Sequence, residues 1–273
     1  MKRRRRVSVG RVLAYVAAIA ISIFILGPIY LITLAAFSTE DAVYNYPKQL
    51  APVDLSTETM SFFIRADGIV DSLQRSIIVS ILTIVFCVLI GTPAGYALAR
   101  FKFRGANAYQ LALVSTRAFP LIIIAVPLAV TYLRVGIDDT VWGVAMAHIA
   151  FTLPLTVLVT ASVFAGISYE LEEAAMTLGC NRLSAIRRVA LPLSLPGVAA
   201  AAIFIFVTSW NEVFAAAILT LSNKTLPAQV LTGLDLSPLP FRLAGGFFLL
   251  APAFIVIFFI RNYLTTTWGR VAN

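Results

Sequence analysis

The sequence predicts an all-α, polytopic membrane protein with six transmembrane helices and a helical hairpin between spans 4 and 5. Of its 273 residues, 60% are hydrophobic and only 12% are charged, whereas soluble domains carry about 25% charged residues. The apolar residues are gathered in stretches of about 20 or more, which is the helix length that crosses a hydrocarbon core about 30 Å thick. The net charge of +8 comes mainly from cations at the ends of these stretches, where membrane topology favours them.

The apolar stretches predict one transmembrane domain that covers residues 1–273. The run after the basic cluster at residues 2–6 is too long for a cleaved signal peptide, so we interpret it as a retained first span. The six spans are expected at about 12–37, 73–99, 108–133, 141–166, 195–219 and 243–263. Prolines within the spans predict bent helices, because each removes a backbone donor. They are Pro28, Pro93, Pro120, Pro127, Pro154 and Pro252.

Lysines and arginines predict the orientation of the chain. They are most frequent on the side that carries the basic cluster 2–6, which also holds Arg100, Arg104, Arg187 and Arg188. Cytoplasmic segments of membrane proteins are enriched in these residues. Both termini and the segment between spans 4 and 5 are therefore predicted to be cytoplasmic, in a multi-pass membrane protein.

The segment 167–194, here called the polar island, separates the fourth and fifth spans. Ser168 can cap a short first helix, and Gly179 suits the left-handed conformation that ends one. Asn181 can begin a second short helix, which Pro192 is expected to end. Three carboxylates fall where the helix dipole favours negative charge, namely Glu170, Glu172 and Glu173. A hairpin this small cannot bury its own apolar stripe, so the island is expected to have a partner.

The sequence lacks the motifs of common catalytic chemistry. None of its four lysines follows a glycine, so there is no nucleotide-binding loop of the Walker type. His148 is the only histidine, which makes a histidine triad or a multi-histidine metal site hard to build. We therefore expect no enzyme activity, metal or cofactor in this chain, and an energy source in a partner or an ion gradient.

Ionisable residues inside spans are costly, and they are usually functional or paired. Glu212 is expected in the outer half of the fifth span. With Trp210 and Asn211 it can line a polar path for a hydroxyl-rich solute, or it can pair with Arg117 of the third span or with a neighbouring subunit. Both interpretations stay open. For His148 in the fourth span, a hydrogen bond between helices is the favoured interpretation.

The polar island resembles the EAA signature of permease subunits of bacterial binding-protein-dependent ABC importers. That signature reads EAA, three residues, G, nine residues, I, one residue, LP, and the spacing matches throughout. The matching positions are Glu173, Ala174, Ala175, Gly179, Leu191 and Pro192, with Val189 for isoleucine and Leu178 where aspartate is usual. The remaining chain is similar to MalG-type permeases of the carbohydrate branch, through Val135–Thr140 and Ser209–Glu212 among others.

The resemblance implies a permease subunit that forms half of the pathway of an ATP-driven importer for a sugar, glycoside or polyol. Its implied partners are a dimeric ABC ATPase that carries ATP and Mg, a MalF-type second permease, an external solute-binding protein and the bilayer, with no role for nucleic acid. Contact with the ATPase is expected from Glu172, Glu173, Ala174, Ala175, Leu178, Gly179, Leu191 and Pro192. Contact with the binding protein is expected from the loop 220–242, through Asn223, Gln229 and Asp235.

Two other functions remain open. An ABC permease for an anionic solute, such as a glycerol-phosphate ester or a sulfonated sugar, would give Arg117 a role, because a cation in the path favours an anion. An ion-coupled secondary carrier would use Glu212 and Arg117 as a relay. The absence of inverted repeats and the EAA spacing argue against the carrier, and a membrane-bound enzyme lacks a catalytic cluster.

Overall fold

The computed structural model describes residues 9–47, 50–51, 55–233 and 237–268. Within these ranges the regular structure is helical, apart from a single antiparallel bridge between Ser38 and Leu55. The helices in chain order are α1 (Val9–Ala36), α2 (Glu40–Tyr44), α3 (Glu58–Arg65), α4 (Ile69–Arg100), α5 (Ala106–Ser115), α6 (Leu121–Val135), α7 (Val141–Ala165), α8 (Glu170–Thr177), α9 (Arg182–Ala185), α10 (Leu191–Trp210), α11 (Phe214–Leu219), α12 (Leu226–Gly233) and α13 (Leu239–Trp268).

Among the described residues, five helical segments are long and apolar enough to cross a membrane. They are Gly10–Ala36, Ile69–Arg100, Val141–Ala165, Arg182–Trp210 and Leu239–Val256. A sixth candidate is the bent pair Ala106–Ala118 and Leu121–Val135, whose two arms meet at 85°. The bend lies at Phe119-Pro120, where Phe119 is extended (φ −88°, ψ 118°), because a residue that precedes proline is disfavoured in the helical conformation.

The chain forms two compact units. The first contains residues 1–67 and 234–250, and the second contains residues 68–233 and 251–273, so the division runs through α13. In the first unit the ring of Phe63 is fully buried and lies 4.9 Å from Phe241 and 5.5 Å from Phe248 between ring centroids. The prediction that residues 1–273 act as one transmembrane domain stays a prediction beside this division.

In the second unit, α4 and α7 approach closely through small residues. A methyl group on Gly91 would lie 2.7 Å from Thr156 Cγ2, and one on Gly95 would collide with Thr160 Oγ1. Thr160 also donates to Gly91 O across the interface at 2.9 Å. Close backbone approach at glycine and threonine is typical of helix pairs in membranes, where packing rather than the hydrophobic effect holds helices together.

The fifth span differs from the predicted helix over 195–219. Helix α10 ends at Trp210, and α11 starts at Phe214 after a break at residues 211–213. Side chains at the break compete with the backbone ladder: Asn211 Nδ2 donates to Val207 O at 2.8 Å, and the Glu212 carboxylate accepts the amides that start α11. Glu212 therefore lies at a break between two helices rather than inside one.

The second helix of the polar island also differs from its prediction, because Pro192 does not end it. A π-helical turn, Ile186–Ala190, joins α9 to α10 and makes one helical segment from Arg182 to Trp210. The Leu191 amide donates to Ile186 O within this wider turn. Such turns accommodate a residue that cannot donate its own amide hydrogen. The island is therefore one short helix, α8, beside the start of a long one.

Candidate functional site

The polar island is shaped by caps that the sequence predicts. Ser168 Oγ accepts the Glu170 amide at 3.3 Å before α8. After α8, Gly179 adopts a left-handed conformation with φ +94°, which favours glycine because it lacks a Cβ atom. Asn181 Oδ1 then accepts the Ser184 amide at 2.8 Å and caps α9. The predicted left-handed conformation of Gly179 and the predicted helix cap by Asn181 are confirmed.

Glu172 faces inward and anchors α8 to the end of α4. Its Oε1 atom accepts from Arg100 Nε at 2.8 Å, and its Oε2 atom accepts from the Tyr96 hydroxyl at 2.6 Å. The side chains of Arg100 and Glu172 are 6% and 2% exposed. Arg100 Nη2 also donates to Ile167 O at 2.9 Å. Arg100 therefore contacts the chain both just after α7, at Ile167, and within α8, at Glu172.

Glu172 is buried, and both of its carboxylate oxygens are bonded within the chain. Its expected contact with an ATPase stays a prediction. Tyr96 and Arg100 hold this carboxylate, and neither contact was predicted from the sequence. The sequence marks Arg100 only as a basic residue at the end of a span. Its pairing with Glu172 could not be predicted, because the two residues lie 72 positions apart.

The opposite side of α8 is exposed and apolar. Leu171, Ala174 and Leu178 recur at helical spacing, and all three are exposed, Leu178 by 87%. Glu173 is exposed beside them, and Ala175 is half-buried. Burying apolar surface stabilises an association by about 25 cal/mol per Å². This surface, here called the α8 face, can therefore bind a protein partner. Leu191 and Pro192 are exposed too, but they belong to the start of α10.

The carboxylate of Glu212 is held by α7 and by the start of α11. It accepts the amides of Ala215 and Ala216 at 2.8 and 2.9 Å. His148 Nε2 lies 3.3 Å from Glu212 Oε2, and His148 Nδ1 lies 2.9 Å from Ser209 Oγ. The predicted interhelical hydrogen bond of His148 is therefore confirmed. The alternative pairing of Glu212 with Arg117 is wrong within this chain.

Of the residues predicted to line a path, Trp210 is turned inward and Asn211 outward. Trp210 is 1% exposed, and its ring stacks on Phe206 with centroids 5.7 Å apart. Its ring is therefore packed within the chain, and its predicted place in the path stays a prediction. Asn211 is exposed at the break between α10 and α11.

Arg117 lies in a 3-10 turn, Thr116–Ala118, directly before the bend between α5 and α6. Its guanidinium carbon is 5.0 Å from the centroid of the Phe151 ring and 6.0 Å from that of Phe204. In the described part of the chain no carboxylate oxygen lies within 4.0 Å of it. A cavity of about 210 Å³ lies beside the turn, lined by Thr116, Leu121, Tyr132 and Phe151 among others.

The loop after α11 is organised by Asp139, which the sequence analysis named only as part of a resemblance. Asp139 Oδ1 accepts the amides of Leu221, Ser222 and Asn223 at 2.8, 3.0 and 2.8 Å. Asn223 Nδ2 donates to Asp139 O at 2.8 Å, so the structure gives Asn223 an internal role. Gln229 is half-buried on α12. The third predicted loop residue, Asp235, lies outside the described residues.

No group of three or more His, Cys, Asp and Glu side chains that could hold a metal ion occurs in the part of the chain that the structure describes. The island and the two helix breaks instead present an exposed apolar face, an arginine beside a bend and an exposed amide.

Comparisons with known proteins agree with this arrangement. The diacetylchitobiose uptake system permease DasC of Streptomyces coelicolor is 28% identical over 222 residues, covering 81% of this chain and 79% of its own. The trehalose permease SugB of Mycobacterium tuberculosis is 32% identical over 182 residues, covering 67% and 66%. The spermidine/putrescine permease PotC of Escherichia coli is 27% identical over 223 residues, covering 81% and 82%.

A crystal structure of a bacterial ABC transporter that imports the acidic polysaccharide alginate has a similar fold. It covers 94% of this chain and 98% of its own, with a TM-score of 0.74 and 23% identity. The family described as "Binding-protein-dependent transport system inner membrane component" matches residues 91–267. Members of this family are transport components of membranes rather than enzymes. The chain belongs to this family and is a multi-pass permease subunit of an ABC importer.

Proposed function

We propose that this chain forms half of the translocation pathway of an ATP-driven importer for a sugar, glycoside or polyol, and that the α8 face binds a separate ATPase subunit. The exposed apolar face of α8, held in place by the buried carboxylate of Glu172, is the observation that carries the coupling proposal. Such a face needs a protein partner, because an exposed leucine surface beside charged groups is unfavourable in water.

The carbohydrate proposal is supported by the two relatives named for diacetylchitobiose and trehalose. The polyamine relative makes a cationic solute the competing candidate. Arg117 disfavours that candidate, because it has no carboxylate partner within the described residues and like charges repel in a medium of low dielectric constant.

The proposed complex contains a dimeric ABC ATPase, a second, MalF-type permease and an external solute-binding protein. ATP and Mg would be bound by the ATPase and not by this chain. We propose that both termini and the polar island are cytoplasmic, since the segments and span ends on their predicted side hold 14 of the 21 lysines and arginines. The loop 220–242 would then face the binding protein, with Gln229 and Asp235 as its candidate contacts.

The coupling proposal is tested by reversing one charge on the exposed side of α8. Glu173→Arg places a cation and a longer side chain beside Ala174, where close approach of a partner is expected. We expect ATP-dependent saccharide uptake by reconstituted vesicles to fall at least tenfold, and the ATPase to co-purify poorly with the permease. Binding of the saccharide by the external protein should be unchanged, because that protein does not contact α8.

The matched control is Glu58→Arg, an equal charge reversal at an exposed position of α3, which should leave uptake near its original level. Normal uptake by the Glu173→Arg protein would refute the coupling role of α8. Uptake that continues after ATP depletion under an imposed proton or sodium gradient would instead favour the ion-coupled carrier.

A further inference from the structure

Arg117 is a charged side chain near the middle of a membrane-crossing helix pair, where ionisable groups are usually paired or functional. The guanidinium lies on the ring of Phe151, which is the eleventh residue of the 25-residue helix α7. At 1.5 Å per residue this places it about 15 Å from one end of α7 and about 21 Å from the other. Lipid headgroups lie at the ends of a span, so they do not supply a counter-charge at this depth.

The two aromatic rings hold the guanidinium but leave its donors unused. Rings attract a cation through their faces, whereas the five N–H groups of arginine point outward in the guanidinium plane. The contacts of Arg117 within the described residues are these two rings, and no acceptor takes its hydrogens. The edge of a guanidinium plane suits the two oxygens of a carboxylate, phosphate or sulfonate.

The backbone beside Arg117 indicates protein or water around it rather than lipid. The non-helical backbone at Phe119-Pro120 is exposed in this chain, and such backbone occurs at membrane depth only where it is buried in protein or lines a water-filled cavity. A mainly apolar cavity of about 210 Å³ adjoins this bend. Broken helices of this kind commonly form solute sites in transporters.

Arg117 contacts one face of α10, and the same face carries a hydrogen-bond acceptor further along the helix. Phe204, which Arg117 contacts, is 44% exposed, and Asn211 is exposed seven residues later on the same helical face. Asn211 Nδ2 is occupied by Val207 O, whereas no donor within the described residues bonds its Oδ1 atom. That oxygen can accept a hydroxyl hydrogen.

We infer that Arg117 and Asn211 form a recognition site for an anionic, hydroxyl-rich solute, with Arg117 binding its acidic group and Asn211 a hydroxyl. The solute would be a sugar acid, a sulfonated sugar or a sugar phosphate. This inference rests on the proposed function, and it narrows the substrate class of the same path. Alternatively, the Arg117 guanidinium binds a carboxylate of the second permease.

The test uses the whole importer in proteoliposomes, with its binding protein, and matched pairs of probes. One pair is maltose and its oxidised acid maltobionate; a second is glucose and glucose 6-phosphate; diacetylchitobiose and trehalose are further neutral probes. Binding of each probe to the external protein is measured separately by calorimetry. We expect that protein to prefer an acidic probe, and Arg117→Gln to reduce the ratio of acidic to neutral uptake at least tenfold. Arg117→Lys, which keeps the charge, should restore part of that ratio.

The control variant is Arg134→Gln, which removes an exposed cation at the end of α6 and should leave the ratio of acidic to neutral uptake unchanged. Co-purification of the second permease and the ATPase with the Arg117→Gln chain establishes that the complex still assembles. A binding protein that takes only neutral probes would overturn the inference but leave the carbohydrate importer intact, and so would an uptake ratio that Arg117→Gln leaves unchanged. An assembly defect rescued by replacing a carboxylate of the second permease would also overturn it, in favour of an ion pair between subunits. A binding protein that takes none of the saccharides would overturn the proposed function as well.

Discussion

Removal of the Glu172 charge is expected to release α8 from α4. Glu172→Gln keeps the shape of the side chain but leaves the guanidinium of Arg100 buried without a counter-charge. Breaking a buried ion pair by changing one partner typically costs about 3–5 kcal/mol. The two side chains are 6% and 2% exposed, so water cannot replace the lost charge. Because about 1.4 kcal/mol corresponds to a factor of ten, the opening equilibrium of α8 should rise by roughly 10²- to 4 × 10³-fold.

The assay is amide hydrogen exchange of the complex in lipid nanodiscs. Exchange of Glu170–Thr177 should accelerate, whereas the α4–α7 contact at Gly91 and Gly95 should keep its protection. Glu173→Gln is the matched control, because it makes the same chemical change at the adjacent, exposed carboxylate. Tyr96→Phe removes a single hydrogen bond of 2.6 Å and should cause a smaller acceleration. If Glu172→Gln and Glu173→Gln exchange alike, the buried anchor does not hold α8.

Two further changes test the packing and the helix break. Gly95→Val should lower the melting temperature of the complex by several degrees or prevent its assembly, since the added side chain meets Thr160. The control is Gly27→Val in α1, because nothing lies within 4 Å of a Cβ atom there. Equal melting temperatures of the two variants would contradict the close approach of α4 and α7. Glu212→Ala removes the carboxylate that accepts the amides of Ala215 and Ala216 and that lies beside His148. It should destabilise the start of α11 by about 1–2 kcal/mol and reduce uptake, whereas Glu212→Gln should retain part of both; unchanged exchange of α11 in the alanine variant would show that this cap is unimportant.

The features that the sequence predicted correctly depend on local patterns. The apolar stretches, the left-handed Gly179 and the Asn181 cap each follow from a few neighbouring residues. The burial of Glu172 does not, because Glu172 and Glu173 look alike in sequence. Only packing against α4 decides that the first faces inward.

The breaks in the spans were harder to predict for a different reason. The apolar composition continues from α10 into α11, so hydropathy alone indicates one helix. The break depends on hydrogen bonds from Asn211 and to Glu212 that involve nearby backbone groups. Hydropathy does not predict such bonds. Pro192 led to the opposite error, since a π-helical turn keeps the helix continuous past it.

The continuity past Pro192 has a mechanical consequence. The helical segment of 29 residues from Arg182 to Trp210 is about 43 Å long at 1.5 Å per residue. One end adjoins α8 and the other end is the break at Asn211. If this segment turns as a rigid body, a rotation of about 5° around the island end displaces Asn211 by nearly 4 Å, which exceeds the length of a hydrogen bond. A small movement of α8 is therefore geometrically sufficient to make or break a contact at the far end of the same helix.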